Sequence, residues 1–413
     1  MARMTLARRV ARAVVLTFLF ALSFHCPPVF DAFGPAAGLP EFLFPCAAIA
    51  LLVLGLRVDR AALAPALVIA AGFAPSVVFA VDRRRAVAQL CVLLYVAGIY
   101  ALARTIARNG YRSAALLALA CGAAANVAIG LAAESLELLS LPSFDLVVRT
   151  PWTVGPRPIG MTESANMLAL VAFSGMFATL ALKRLGDIES RRAGALLTVL
   201  VAGMLACQSR IVLGACLAVA VLKGRRRTPL WLAAGVVSVI AMLISIRAQV
   251  VPIHGRFPFL NFSLGPYGAM HEIALRAFLH HPLTGVGLEN FLAAWPRYYD
   301  PARYDHVFTG EYATMLGSAF EPHGTLVGYL AEAGLLALPV LGALGWFVWR
   351  GRARDLPESG AYAIGLVLAS FSVDLLTERN TWALIGLLSS LSLDRPAPNG
   401  VLHHSDRAPA TPR

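Results

Sequence analysis

The feature that most constrains this chain is a series of apolar runs that recurs from Ala13 to Leu393. Each run has about 15–25 residues, the length of helix that crosses the roughly 30 Å hydrocarbon core of a bilayer. Only 14% of the residues are charged, and the mean hydropathy is +0.70. A soluble domain has about 25% charged residues. The sequence therefore predicts an all-α polytopic membrane protein and argues against a soluble fold.

Twelve transmembrane spans are predicted, and the region 193–222 decides that number. Basic residues flank this region on both sides, so both flanks are expected in the cytoplasm, and the chain must cross the membrane an even number of times between them. A hairpin of two short helices satisfies this condition, whereas one long helix does not. The spans lie near 11–29, 41–56, 61–81, 86–103, 114–139, 164–182, 193–208, 211–222, 229–246, 324–349, 361–376 and 380–393.

The charge pattern also predicts the organisation of the chain. The formal net charge is +12, but Lys and Arg cluster between apolar runs, which indicates topology rather than a nucleic-acid partner. With a cytoplasmic N-terminus, most of these residues fall in cytoplasmic segments. We expect a single membrane domain over 1–413, a large periplasmic loop at 247–323 between helices 9 and 10, a smaller outer loop at 140–163 and a disordered cytoplasmic tail at 394–413.

Arg210 is a candidate functional residue because the hairpin in 193–222 is short. Its two halves have about 12–16 residues and reach roughly 18–24 Å, which is less than the thickness of the bilayer core. The tip of the hairpin is therefore expected to be recessed. A guanidinium at that depth costs about 2.5–3.5 kcal/mol on insertion scales unless it faces water or a partner. The alternative is that its side chain extends to the outer headgroups.

Arg157 lies in the loop RPIGMTESAN, which leads into the span at 164–182. Either Ser164 or Thr162 can cap that helix. The amides at its N-terminus point to the outer face, where an anion can bind. An ordinary loop and cap is the alternative.

Arg83, Arg84 and Arg85 lie on the outer side according to the span count, which the charge rule disfavours. Three adjacent arginines there indicate an anionic partner such as a diphosphate or a lipid headgroup. The alternatives are that the two neighbouring spans are misplaced, or that the cluster meets bulk lipid phosphate.

His323 ends the large outer loop, where the chain re-enters the membrane. A neutral imidazole there can act as a general base near neutral pH, although histidines are also common at membrane interfaces. The outer carboxylates form no D-x-D or paired acid motif of the kind that binds a metal. Glu289 and Glu321 remain weaker candidates, and we expect no metal or other cofactor.

Four pieces of the sequence together resemble the O-antigen ligase and O-antigen polymerase superfamily, most closely the ligases. The family has P-x-x-G-x-G before the outer loop, then a His that opens the next helix, then E-x-G. Earlier it has an Arg, Gly and Asn spacing and a Ser-Arg between two short helices. The matching positions here are Pro282, Gly285, Gly287, His323, Glu332, Gly334, Arg157, Gly160, Asn166, Ser209 and Arg210.

The resemblance implies a GT-C-type glycosyltransferase that needs no metal. Such an enzyme takes a glycan from undecaprenyl diphosphate at the periplasmic face of the bacterial inner membrane and transfers it to a lipid A-core acceptor. It implies that His323 is catalytic and that Arg157, Arg210, one of Arg83 to Arg85, Asn166 and Ser209 bind the substrate. One departure is that Gly324 follows the histidine, where the family often has Asn.

Three alternatives remain open from the sequence. A polymerase of the same superfamily transfers the glycan to another lipid-linked repeat, and a protein O-oligosaccharyltransferase transfers it to protein. A transporter or flippase of anionic lipids or sugars explains an intramembrane arginine equally well and needs no histidine.

Overall fold

A computed structural model of the chain describes residues 6–24, 39–142, 146–148, 156–162, 164–209, 265–305, 324–351, 356–370 and 373–389, with scattered positions between 211 and 222. These residues are mostly helical. Two of the predicted site residues, Arg210 and His323, lie outside the described residues. The span predicted at 229–246 and the tail at 394–413 also lie outside them.

Fourteen α-helices occur in the described residues, joined in places by short 3₁₀ turns such as Arg60–Leu63 and Gly334–Leu336. A two-stranded antiparallel ladder pairs β1 (Val147–Val148) with β2 (Arg157–Pro158). The helices are α1 Leu6–Ala21, α2 Leu39–Leu54, α3 Ala64–Val78, α4 Arg83–Ile106, α5 Arg112–Leu138, α6 Ala165–Leu185, α7 Ser190–Ala206, α8 Gly265–His280, α9 Phe291–Ala294, α10 Pro301–Tyr304, α11 Thr325–Ala333, α12 Ala337–Gly351, α13 Pro357–Ala369 and α14 Arg379–Leu388.

Four helical stretches among the described residues are long and apolar enough to cross a membrane: Arg60–Val78, Arg83–Leu138, Ala165–Leu185 and Thr325–Arg350. Large apolar side chains such as Leu67 remain exposed on the outside of the bundle, 69% in that case, which suits contact with lipid tails. The chain is therefore a helical membrane protein, as the sequence predicts. The count of twelve spans stays a prediction.

The stretch Arg83–Leu138 consists of two helices rather than one. The backbone leaves helical geometry at Asn109 and Gly110, and Gly110 has a φ of +86°, which glycine adopts without strain. Both α4 and α5 pack along α14. Because both halves lie beside the same short helix, the chain reverses direction at this turn.

Helix α6 lies at the centre of the bundle, and 83% of the residues in its most apolar stretch are buried. Helices α5, α7, α13 and α14 all contact it. Its Phe173 stacks on Tyr362 of α13, with ring centroids 5.1 Å apart, and Ser174 shares a 2.8 Å hydrogen bond with the same tyrosine. This central position places the first turn of α6 among loops that belong to several other helices.

Two predicted spans are interrupted in the structure, and α1 ends at Ala21, before the predicted limit at 29. Helix α13 ends at Ala369, before the predicted limit at 376, and 373–378 form an irregular segment instead. The span predicted at 324–349 is bent where the 3₁₀ turn at Gly334 joins α11 to α12. In both places the sequence is apolar enough to suggest a continuous helix, and contacts with other segments determine the break.

The end of the bundle that the charge pattern places in the cytoplasm contains buried ion pairs. Asp59 contacts Arg104 and Arg108, each with a shortest distance of 2.6 Å. Burial alone would raise the pKa of Asp59, but the hydrogen bonds and charges of the two arginines outweigh it and hold the pKa below its usual value. At the same end, the Arg112 guanidinium donates a 2.9 Å hydrogen bond to the carbonyl of Ser389.

The opposite end joins the segments that are predicted to lie outside. Asp82 N donates a 2.6 Å hydrogen bond to the side chain of Asn290, and Thr325 N donates a 2.8 Å bond to the carbonyl of Ser370. Which of the two ends faces the cytoplasm stays a prediction.

Candidate functional site

The loop 156–162 enters the helix bundle instead of running over its surface. Its Met161 N donates a 2.7 Å hydrogen bond to Oδ1 of Asn126, a fully buried residue near the middle of α5. Gly160 has a φ of +56°, and a Cβ there would lie only 2.5 Å from that same oxygen. Irregular backbone at membrane depth is tolerated where it is buried in protein or lines a cavity. The loop is therefore a candidate for function.

The end of α7 lies at a similar depth. Gly203 packs so closely on Val127 of α5 that an added Cβ would be 2.2 Å from its Cγ1. With 17 residues, α7 extends about 26 Å, which is less than the bilayer core. Cys207 and Ser209 follow the helix and are buried. The recess of the hairpin tip stays a prediction.

Arg157 joins the loop to the hairpin tip. Its Nε donates a 2.7 Å hydrogen bond to the carbonyl of Cys207, and its Nη2 lies 3.4 Å from Oδ1 of Asn166. The same oxygen accepts a 2.9 Å hydrogen bond from the Ser209 hydroxyl. The structure thus brings together three residues that the resemblance implies for substrate binding. They come from three separate segments of the chain, and we call them the Arg157 cluster.

The start of α6 is fixed by the cap that the sequence predicts. Ser164 has extended backbone geometry, and its hydroxyl accepts a 3.2 Å hydrogen bond from Met167 N. The other predicted cap, Thr162, instead donates to carbonyls within its own loop, at 2.6 Å to Ile159 and 2.9 Å to Ser164. The cap positions Asn166 in the first turn of α6, which faces Ser209 and Arg157.

Arg83, Arg84 and Arg85 form the first turn of α4 and are exposed. Asp82 caps this helix by accepting hydrogen bonds from Arg84 N at 2.9 Å and Arg85 N at 3.2 Å, and its carboxylate lies 3.5 Å from Nε of Arg85. Their exposure suits an anionic partner. Among the described hydrogen bonds, none joins these arginines to the Arg157 cluster.

The glycine motif of the resemblance has a packing role. Val286 N and Gly287 N donate to the carbonyls of Ala331 and Glu332, at 3.0 and 2.9 Å. Gly285 is so close to this helix that an added Cβ would lie 2.2 Å from the carbonyl carbon of Glu332. The turn at 281–290, called here the glycine turn, therefore docks by its backbone on the end of α11.

Gly334 completes this contact from the other side. An added Cβ there would lie 2.5 Å from the carbonyl carbon of Leu283, and Leu335 N donates a 2.7 Å bond to the carbonyl of Pro282. Asn290, which is fully buried, also donates to the Asp82 carbonyl at 3.1 Å. The glycine turn thus connects α11 to the start of α4 and its arginines.

Glu289 projects from the glycine turn with a φ of +55°, a backbone conformation that is uncommon for residues other than glycine. The residue is exposed. Partial burial of its carboxyl group raises the pKa, the charge of Asp374 raises it further, and Arg85 lowers it. Glu289 is therefore close to the arginines at the start of α4.

The helix that follows His323 is firmly anchored. The Thr325 hydroxyl donates a 3.0 Å bond to the carbonyl of Val373 and accepts a 3.0 Å bond from Leu375 N. Tyr329 donates a 3.1 Å bond to the Asp374 carboxylate. The first turn of α11 and the irregular segment 373–378 are thus held together.

Sequence reasoning missed Asn126, Asn290 and Asp374. Asn126 is a lone amide within the apolar run GAAANVAIG, and this isolation is a signal that could have identified it, because a buried amide needs partners. Asn290 and Asp374 also bond to distant residues, Asp82 and Tyr329, and no local pattern indicates those two contacts. Among the described residues, no three His, Cys, Asp or Glu side chains are placed to hold a metal ion.

No known protein family matches the chain, and no curated protein is significantly similar to it.

Proposed function

We propose that the chain is an O-antigen-ligase-type glycosyltransferase of the inner membrane. It transfers a glycan from undecaprenyl diphosphate to a hydroxyl of a lipid A-core acceptor at the periplasmic face. The observation that carries the proposal is the Arg157 cluster, because Arg157 and Asn166 from one piece of the family pattern meet Ser209 from another piece at a single amide oxygen.

The reaction needs groups for a leaving diphosphate and for an acceptor hydroxyl. The acceptor oxygen forms a bond to the anomeric carbon, and the bond from that carbon to the diphosphate oxygen breaks. The electron pair leaves with undecaprenyl diphosphate, and the hydroxyl proton passes to the imidazole of His323. Arg157 and Arg210 stabilise the charge that develops on the diphosphate.

The depth of the Arg157 cluster supports a donor that is a lipid. The cluster lies where the loop 156–162 reaches the middle of α5. Its polar groups are therefore level with the interior of that helix and not with its end at Leu138. A diphosphate on a lipid chain approaches such a site from within the membrane. A low-dielectric setting also strengthens the attraction between a guanidinium and a phosphate.

The arginines at the start of α4 supply a second anionic contact in this proposal. Arg83, Arg84 and Arg85 are exposed and are connected through Asn290 to the glycine turn. We assign them to the phosphate of the donor or of a neighbouring lipid headgroup.

The proposal is tested by measuring glycan transfer in proteoliposomes that contain the purified chain, lipid-linked glycan and lipid A-core. His323→Ala should abolish transfer, and Arg157→Ala should lower kcat/KM by about 100-fold or more, since a lost charge-assisted contact to the transition state has this magnitude. The matched controls are His280→Ala and Arg192→Ala. His280 lies at the end of α8 beside Tyr298, and Arg192 is 74% exposed in an ion pair with Glu189.

The same assay separates the alternatives. Normal transfer by His323→Ala, with lipid binding lost only in the arginine variants, would overturn the catalytic assignment of His323. No transfer by the parent protein, with the arginines needed only for lipid binding, would favour a transporter of anionic lipids and contradict the proposal. Transfer to a second lipid-linked repeat but not to lipid A-core identifies a polymerase, and transfer to protein identifies an oligosaccharyltransferase.

A further inference from the structure

Three fully buried polar residues form a network in the interior of the bundle: Ser23, Asn126 and Asn380. The Ser23 hydroxyl donates a 3.2 Å hydrogen bond to Oδ1 of Asn380, and Nδ2 of Asn380 donates a 3.0 Å bond to the carbonyl of Leu22. Nδ2 of Asn126 donates to the carbonyl of Ser23. The network therefore joins the end of α1, the middle of α5 and the first turn of α14.

Both polar atoms of the Asn126 amide have fixed roles. Met161 N is a donor, so the atom that it contacts at 2.7 Å must be the amide oxygen. The carbonyl of Ser23 is an acceptor, so the atom facing it must be the amide nitrogen. Only an amide of this size satisfies both partners, because hydrophobic side chains offer neither atom and a hydroxyl is too short to reach both.

The bond to Met161 decides how deeply the loop 156–162 enters the bundle. It lies four residues after Arg157, and Gly160, beside it, allows the loop to touch Asn126 closely. Within a membrane protein, an amide N–H that lacks a partner at this depth costs several kcal/mol. This cost favours the position of the loop in which Met161 N bonds to Asn126.

We propose that Asn126 is a positioning residue that sets the depth of Arg157 through the loop 156–162. This inference rests on the proposed function, in which Arg157 binds the donor diphosphate. Asn126 itself touches no substrate. Its amide fixes the position of the loop, and the loop fixes the position of Arg157. The guanidinium of Arg157 then contacts Asn166 and the carbonyl of Cys207.

A double-mutant cycle tests the inference in the same transfer assay, with the full chain in proteoliposomes. Asn126→Ala should lower kcat/KM for the lipid-linked donor by about 10- to 100-fold, since a displacement of about 1 Å has effects of this size. Arg157→Ala should lower it at least as much. Because Asn126 acts through Arg157, the double variant should match Arg157→Ala alone.

Ser23→Ala is the matched control. It removes a hydroxyl from the same buried network but leaves both hydrogen bonds of Asn126, because that residue contacts the backbone carbonyl of Ser23. We expect kcat/KM within about threefold of the parent, in the range of an independent site. A loss equal to that of Asn126→Ala would show general damage to the network and overturn the inference.

Gly160→Ala keeps the result interpretable if Asn126→Ala does not fold. Its Cβ would lie 2.5 Å from Oδ1 of Asn126 and push the loop away, so it should lower kcat/KM and add no further loss in the Arg157→Ala background. Normal kcat/KM in folded Gly160→Ala contradicts the inference. Multiplicative losses in the double variant also contradict it while leaving the proposed function intact, whereas normal transfer by Arg157→Ala contradicts both.

Discussion

The loop 156–162 and the glycine turn at 281–290 are two irregular segments at the same end of the bundle, and they are held in different ways. Side chains supply many of the loop's hydrogen bonds: Asn126 accepts from Met161 N, and Thr162 donates to two carbonyls. Backbone bonds to β1 and to the carbonyl of Leu146 add to them. The glycine turn is held mainly by backbone bonds to α11 and by glycines without room for a side chain.

This difference shows which changes each segment tolerates. Backbone contacts depend little on side-chain chemistry, but they fail when a Cβ enters the space between two chains. A segment that depends on side-chain hydrogen bonds fails when a single donor or acceptor is lost. The turn therefore suits a fixed part of the fold, and the loop suits a place where a binding residue is positioned.

Gly285→Ala should have the largest effect. The new Cβ would lie 2.2 Å from the backbone of Glu332, at a φ of +64°. Steric overlap and backbone strain together should cost about 3–5 kcal/mol. Thermal unfolding of the purified protein in detergent measures this loss.

Gly194→Ala is the control for that substitution. Gly194 is exposed within α7 with nothing within 4 Å of an added Cβ, so alanine should be neutral or stabilise by up to about 1 kcal/mol. Equal melting temperatures for the two variants would refute the docking role of the glycine turn.

Thr162→Val should have an intermediate effect and tests the other side of the comparison. The two side chains have the same shape, and only the hydroxyl that bonds the carbonyls of Ile159 and Ser164 is removed. The loss of this buried hydrogen bond should cost about 1–2 kcal/mol in thermal unfolding. Thr198→Val removes an exposed hydroxyl that bonds Gly194 within α7 and should change little. The comparison breaks if Thr162→Val is as harmless as this control.

Glu289→Gln should have the smallest effect, visible only in the pH dependence of stability. The folded protein raises the pKa of Glu289, so its contribution to stability is fully present below the unfolded pKa and is lost as the pH rises through the folded value. The parent should therefore lose stability relative to the variant as the pH rises across that interval. Parallel melting curves from pH 4 to 7 would show that folding does not raise the pKa of Glu289.

Many of the helices could be predicted because a membrane span depends on the hydropathy of one continuous stretch of sequence. Apolar length places α4, α5 and α6 close to their predicted limits, since each helix satisfies its own backbone. Ser164 was predictable as a cap for the same reason, because a cap needs only the next few residues. The break at Ala369 was not predictable, since 373–378 is held by Thr325 and Tyr329 from another helix.

The residues of the site could be predicted from the sequence, but their arrangement could not. The resemblance indicated Arg157, Asn166 and Ser209, and the structure shows that the first and the last both contact the side-chain oxygen of Asn166. The role of Asn126 was not predicted because it depends on a contact with a loop more than thirty positions later in the sequence. Pairings of this kind depend on tertiary geometry, which hydropathy and spacing do not encode.

The bond between Ser23 and Asn380 has a consequence for biogenesis. Its partners are separated by 357 positions, so Ser23 is synthesised well before Asn380. Until the ribosome has delivered α14, the carbonyls and amides around Ser23 must stay hydrated or be shielded by the insertion machinery, since lipid offers them no partner. The buried network is therefore completed only after α14 has been synthesised.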